Sequence, residues 1–268
     1  MWVEVTNPLA GRCAPPFTNM PAQELTTALI QGSSNSSFVL PNNTEWYADN
    51  DIILNKDLFI GTNVKISFGP SVRLFVPNGR KLQIDNGGTL QGCTNEMWGG
   101  IYLYPGGEVR MNGTLPNNKV LIKEATIALE AIGNNCIIVL NGSVTFDRNN
   151  VGVYLHDGDF SSSIFNGTSF TCSAALLLPF NLNPYSTTHF KAKDAGSITF
   201  NYGSTSAYGN IFTDALVCLD FLRTNLTVEG TYFSQLKFVG NNWPTNYHSA
   251  ILFSNETPKN LISSFKKP

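Results

Sequence analysis

The sequence predicts an all-β chain wound as a right-handed parallel β-helix, a β-solenoid with a short capping helix near its N-terminus. Three observations lead there. Apolar residues recur in an eight-residue register from Asp57 to Glu96, and each octad closes on turn residues. Charged residues make up only 13% of the 268-residue chain, and Asn, Ser, Thr and Gly take their place, the balance of a turn-rich β protein.

The octads read DLFIGTNV, KISFGPSV, RLFVPNGR, KLQIDNGG and TLQGCTNE. Their second places hold Leu58, Ile66, Leu74, Leu82 and Leu90, and their fourth places Ile60, Phe68, Val76, Ile84 and Gly92. Apolar residues two apart share one face of a strand, so each octad holds one short strand with a single buried face. Turns follow at Gly61-Thr62-Asn63, Gly69-Pro70-Ser71, Pro77-Asn78-Gly79 and Asp85-Asn86-Gly87. Strands this short suit a sandwich poorly, whereas three octads, about 24 residues, make one triangular coil that stacks on its neighbours.

Downstream the pattern loosens. Ile101/Leu103 and Val109/Met111 keep the step, followed by Val120/Ile122, Ile127/Leu129, Ile137/Val139, Val144/Phe146 and Val151/Val153. Ile198/Phe200, Leu216/Cys218, Leu226/Val228, Leu236/Phe238 and Ile251/Phe253 continue the series. The polar stretches 181–189 and 240–249 read as loops leaving a corner.

An open solenoid end must be covered. Residues 21–31, PAQELTTALIQ, place Leu25, Ala28 and Leu29 on one helical face behind Pro21 and predict the N-terminal cap. Leu261, Ile262 and Phe265 offer apolar surface for a lid at the other end. Residues 1–45 thus read as an N-terminal segment and 46–268 as the β-helix domain.

A net charge of -2 offers no basic field for phosphates, so nucleic acid is not expected as a partner, and no apolar run is long enough for a transmembrane helix. Five widely spaced cysteines, Cys13, Cys93, Cys136, Cys172 and Cys218, suit buried thiols with at most one bridge, whose pairing the spacing leaves open. Neither a metal site nor a cofactor motif is visible, and no cofactor is expected. Seven Asn-x-Ser/Thr sequons, at Asn35, Asn42, Asn112, Asn141, Asn166, Asn225 and Asn255, read as chance in an Asn-rich chain, with Asn placed in side-chain ladders or left-handed turns.

The run from Trp46 to Cys93, then MWGGIYL and KVLIKEATIALEA, resembles secreted right-handed parallel β-helix proteins of Bacteroidetes-type bacteria, a cell-surface group that often bears a sorting domain. The resemblance covers residues 46 to about 132. It implies a secreted or cell-surface location. The sorting domain of that group is not seen here, so the chain reads as a fragment or an unusual member.

Parallel β-helices also include enzymes that cleave acidic polysaccharides. The hydrolase branch resembles chains with Asn-x-Asp, Asp-Asp, Gly-His-Gly and Arg-x-Lys motifs, and this set is missing: Asp-Asp, Gly-His-Gly and Arg-x-Lys do not occur, and Asn-x-Asp occurs only as Asn55-Lys56-Asp57. The best remaining catalytic candidates are His156, Asp157 and Asp159 in HDGD, where a His beside two carboxylates could do acid–base work, although Asp-Gly-Asp after a strand is ordinary turn chemistry. His189 and His248 read as isolated loop residues, and Asp214 and Asp220 as solvated strand ends. Binding candidates are the aromatic residues Trp98, Trp243 and Tyr247; Trp98 suits a corner cap better than a sugar platform, with Gly99-Gly100 letting the backbone pass beside it. The expected function is non-catalytic: a structural stalk, adhesin or glycan-contacting module with a cell-surface or extracellular polysaccharide as partner. The alternatives are a polysaccharide lyase or glycoside hydrolase with an atypical site, and a trimeric phage-type receptor-binding spike.

Overall fold

In the computed structural model, which describes residues 13, 23–93, 95–114, 118–201, 209–234, 249–254 and 264–266, every strand-to-strand ladder is parallel. The strands wind as a parallel β-helix with three sides. Three successive octads supply one strand to each side: Asp57–Ile60 to the first, Lys65–Phe68 to the second and Arg73–Val76 to the third. The next octads land one coil above them. Leu58 pairs with Leu82 and Ile66 with Leu90, each 24 residues apart, while Leu74 pairs with Ile101.

The inward residues form continuous ladders. On the second side Trp46, Ile66, Leu90, Ile122, Phe146, Phe170 and Phe212 follow one another coil by coil. The aliphatic N-terminal half thus passes into a phenylalanine stack, with Phe146–Phe170 and Phe170–Phe212 centroids 4.9 and 4.8 Å apart, the spacing of parallel strands. Two long strands, Ile137–Asp147 and Ile164–Thr171, bend from the first side into the second and join those sides into one sheet.

Several inward assignments shift by one residue. Ile138 and Leu140 are buried while Ile137 is exposed, and Val217 and Leu219 take the inward places expected of Leu216 and Cys218, although Cys218 is also buried. Both segments, IIVL and ALVCL, are apolar on both faces, so alternation alone could not fix the face. The pair Leu236/Phe238 lies outside the described residues.

The capping helix is shorter than its periodicity predicts. It spans Thr27–Gly32 behind an N-cap at Thr26, whose side chain accepts from the Leu29 amide, and Gln23–Glu24 instead extends the second side by pairing with Trp46 and Tyr47. Ile30 and Leu25 are the buried residues, whereas Ala28 and Leu29 face solvent. At the other end Ser264–Lys266 adds a strand against Asn225–Glu229; Leu261 and Ile262 lie outside the described residues.

Outward polar residues form ladders too. Asp85, Asn112, Asn141, Asn166 and Asn201 occupy one column on successive coils of the first side. Asn112 Nδ2 donates to Asp85 Oδ1 at 3.3 Å, and Asn166 Nδ2 to Asn141 Oδ1 at 3.1 Å. Three sequons are therefore rungs of one ladder. One disulfide joins Cys13 to Cys93, and Cys136, Cys172 and Cys218 are buried free thiols.

Candidate functional site

Trp98 offers no binding platform. Its ring is fully buried, stacked on Phe68 at 4.4 Å, and its Nε1–H donates to the Lys123 carbonyl at 2.8 Å. Gly92 stands one coil above Phe68 with no side chain, and the Trp98 indole lies over the Phe68 ring near the corner that leads to the third side. Trp243, Tyr247 and His248 lie outside the described residues.

His156, Asp157 and Asp159 fall at the end of the third-side strand Val151–His156. Asp157 takes a left-handed turn conformation, φ 56°, and Asp159 Oδ1 accepts from the Ser161 amide, so the DGD stretch is corner chemistry. His156 has partners that the linear motif did not reveal. Its Nδ1 lies 2.8 Å from Asp157 Oδ2, and its Nε2 lies 3.4 Å from Oε1 of Glu130, a residue on the strand Ile127–Ile132 one coil below. The Nδ1 contact has hydrogen-bond geometry, whereas the buried Nε2 has no hydrogen-bond partner and meets Glu130 as an ion pair only when the ring is protonated. The ring also stacks on Tyr154 at 4.5 Å.

Glu130 and Tyr154 belong to an outward column that runs the length of the third side. Ile53, Phe75, Tyr102, Glu130, Tyr154, Lys191 and Asp220 are successive partners in the parallel ladder. They alternate with buried Leu74, Ile101, Leu129 and Val153, which fixes them on the outer face. Tyr104 stands beside Tyr102 at 4.9 Å and Phe75 at 6.1 Å, and at 41% it is the most open of these rings. The Arg73 guanidinium lies 5.8 Å from the Tyr102 ring centre, and Lys191 Nζ lies 5.3 Å from that of Tyr154. Burial, reinforced by the Glu130 carboxylate, holds the Tyr102 phenol above its ordinary range; burial, Asp157 and Glu130 do the same for Tyr154.

Asp220 is no solvated strand end. It sits inside the strand Ala215–Leu222, where burial raises its pKa and Lys191, 3.8 Å away, opposes the rise. His189 lies in the strand Ser186–Lys193 rather than a loop. It is buried, with Nε2 2.5 Å from the Thr213 carbonyl, and burial pushes its pKa down to about 4. The folded chain resists a proton that the unfolded chain accepts near pH 6.5, so His189 contributes stability above that pH that is lost as pH falls towards about 4. The expected loss is about 3 kcal/mol. Urea unfolding at several pH values should show this slope, and His189→Gln should flatten it; a wild-type slope unchanged in the variant would rule His189 out as its source.

Among the described residues no group of three or more His, Cys, Asp or Glu side chains is placed to hold a metal ion, and no helix is long and apolar enough to cross a membrane. The depression lined by Asp49, Asn50, Asp51, Pro70, Ser71 and Val72 is open. Its two carboxylates already accept from the Cys13 and Arg73 amides. Searches of family models, curated proteins and solved structures found no match to the chain. Sequence reading missed Phe75, Tyr102, Tyr104, Glu130 and Tyr154; the only signal for Phe75, Tyr102, Glu130 and Tyr154 is that each is an outward residue between two apolar ones, and Tyr104 follows its strand directly.

Proposed function

We propose that the chain is a non-catalytic, secreted or cell-surface β-helix, a rigid scaffold that contacts saccharide through the outer face of its third side. The observation that carries this reading is the column of half-exposed rings Phe75, Tyr102 and Tyr154 with Tyr104 beside it. Aromatic side chains joined to hydrogen-bonding neighbours suit sugars, which present C–H surface and hydroxyls together. The disulfide supports an oxidising compartment. Retardation in native gels containing a panel of soluble polysaccharides tests the reading. At least one should retard the protein, and Tyr104→Ala should weaken that binding about tenfold, roughly 1.4 kcal/mol. Retention by none, or retention indifferent to Tyr104, would defeat it.

A carbohydrate-active enzyme is the second reading, favoured by one observation: His156 held between Glu130 and Asp157. That reading expects release of reducing ends or unsaturated products from a bound polysaccharide, abolished in Glu130→Gln. The binding reading expects no product.

A further inference from the structure

We infer that the third side takes a neutral, extended polysaccharide chain lying along the solenoid axis, an inference that rests on the saccharide-binding reading above. Its first support is the shape of the strip. From Phe75 through Tyr102 and Glu130 to Tyr154 the strip runs three strand steps, about 14 Å. Along the strand direction the aromatic surface runs only from Tyr102 to Tyr104, two residues or about 7 Å. A strip about twice as long as wide fits one chain laid across the strands better than a compact ligand.

Its second support is charge. Arg73, Lys191 and Lys193 stand on this side against Glu130, Asp157 and Asp220, three of each sign, with His156 between two of the acids. The signs also alternate along the axis: Arg73 at one end, Glu130 in the middle, then Lys191 and Asp220, paired at 3.8 Å. At the corner Asp194 and Arg223 pair at 2.5 Å. A polyanion or a polycation bound here would meet like charges as often as opposite ones. A neutral chain meets hydrogen-bonding partners of both kinds between the rings.

The test is titration of the full chain with neutral β-glucan oligosaccharides from disaccharide to hexasaccharide, beside polygalacturonate and chitosan as charged probes. Affinity should climb with length and hold constant between roughly 0.05 and 0.5 M salt. Phe75→Ala and Tyr154→Ala, at opposite ends, should each lower hexasaccharide affinity at least fivefold while leaving the disaccharide within twofold; Tyr154→Phe should retain binding. Circular dichroism melts establish that the variants fold. Salt-sensitive binding of polygalacturonate or chitosan alone would overturn the neutral class and leave the saccharide-binding reading intact. Binding of the neutral series without a length effect, or unmoved by the end variants, would overturn the axial placement. Failure of every polysaccharide would overturn both.

Discussion

Gly100→Ala is expected to destabilise the folded chain by more than about 4 kcal/mol. Gly100 has φ of +100°, outside the range of an ordinary side chain. A Cβ built there would lie 1.7 Å from the Ile127 carbonyl oxygen and 2.8 Å from its carbon. Ile127 belongs to the next coil, whose strand is held to this one through Ile101↔Leu129 and Tyr102↔Glu130. Relief would require the two coils to spread, and with them the seat of Trp98 on Phe68. Gly79→Ala is the natural comparison, because Gly79 also has positive φ, +68°, but nothing lies within 4 Å of its absent Cβ. That substitution should cost only the left-handed strain, about 1 to 2 kcal/mol. Guanidinium unfolding of both variants separates the terms. Equal losses would mean that conformation alone, and not the approach of the next coil, requires glycine at position 100.

How far the sequence disclosed the molecule follows from where coil length is constant. From Asp57 to Gly92 three octads close one turn, so residues 24 apart are true neighbours and the ladders Leu58–Leu82 and Ile66–Leu90 are legible by counting. Beyond Cys93 the corners take insertions of unequal length. Neighbours in the outward column Phe75, Tyr102, Glu130, Tyr154 and Lys191 are 27, 28, 24 and 37 residues apart, so no fixed period reveals the strip. The same irregularity hid the link between His156 and Glu130, while the HDGD motif drew attention to Asp159, whose carboxylate serves a turn. The Asn-Gly-Ser/Thr sequons at Asn112, Asn141 and Asn166 look accidental for the same reason, since steps of 29 and 25 residues conceal one register. Trp98 was readable because a Gly-Gly pair after a large ring implies close backbone packing, and that packing is what the corner contains.

Reduction of the Cys13–Cys93 bridge is expected to cost about 4 kcal/mol, because cross-linking a loop of this length restricts the unfolded chain. The bridge spans 80 residues and brings the Cα atoms to 5.3 Å. Within that span lie the capping helix and the regular octads, so the constraint acts on the part of the solenoid that must cover its own N-terminal end. Cys13 is anchored beyond its sulfur: its amide donates to Asp49 Oδ1 at 2.8 Å, and it is buried against the second side near Ser67. The remaining thiols make the experiment clean. Burial raises all three, Cys136 to about 11 and Cys218 to about 12, so alkylation of the folded, oxidised protein near pH 8 should add no label. After mild reduction two labels should appear, on Cys13 and Cys93, and the denaturation midpoint should fall. Labels on Cys136, Cys172 or Cys218 before reduction would contradict their burial, and an unchanged midpoint would show that the coils close without the bridge. A large loss on reduction would mean that the fold reaches full stability only with the bridge formed, which oxidising conditions favour.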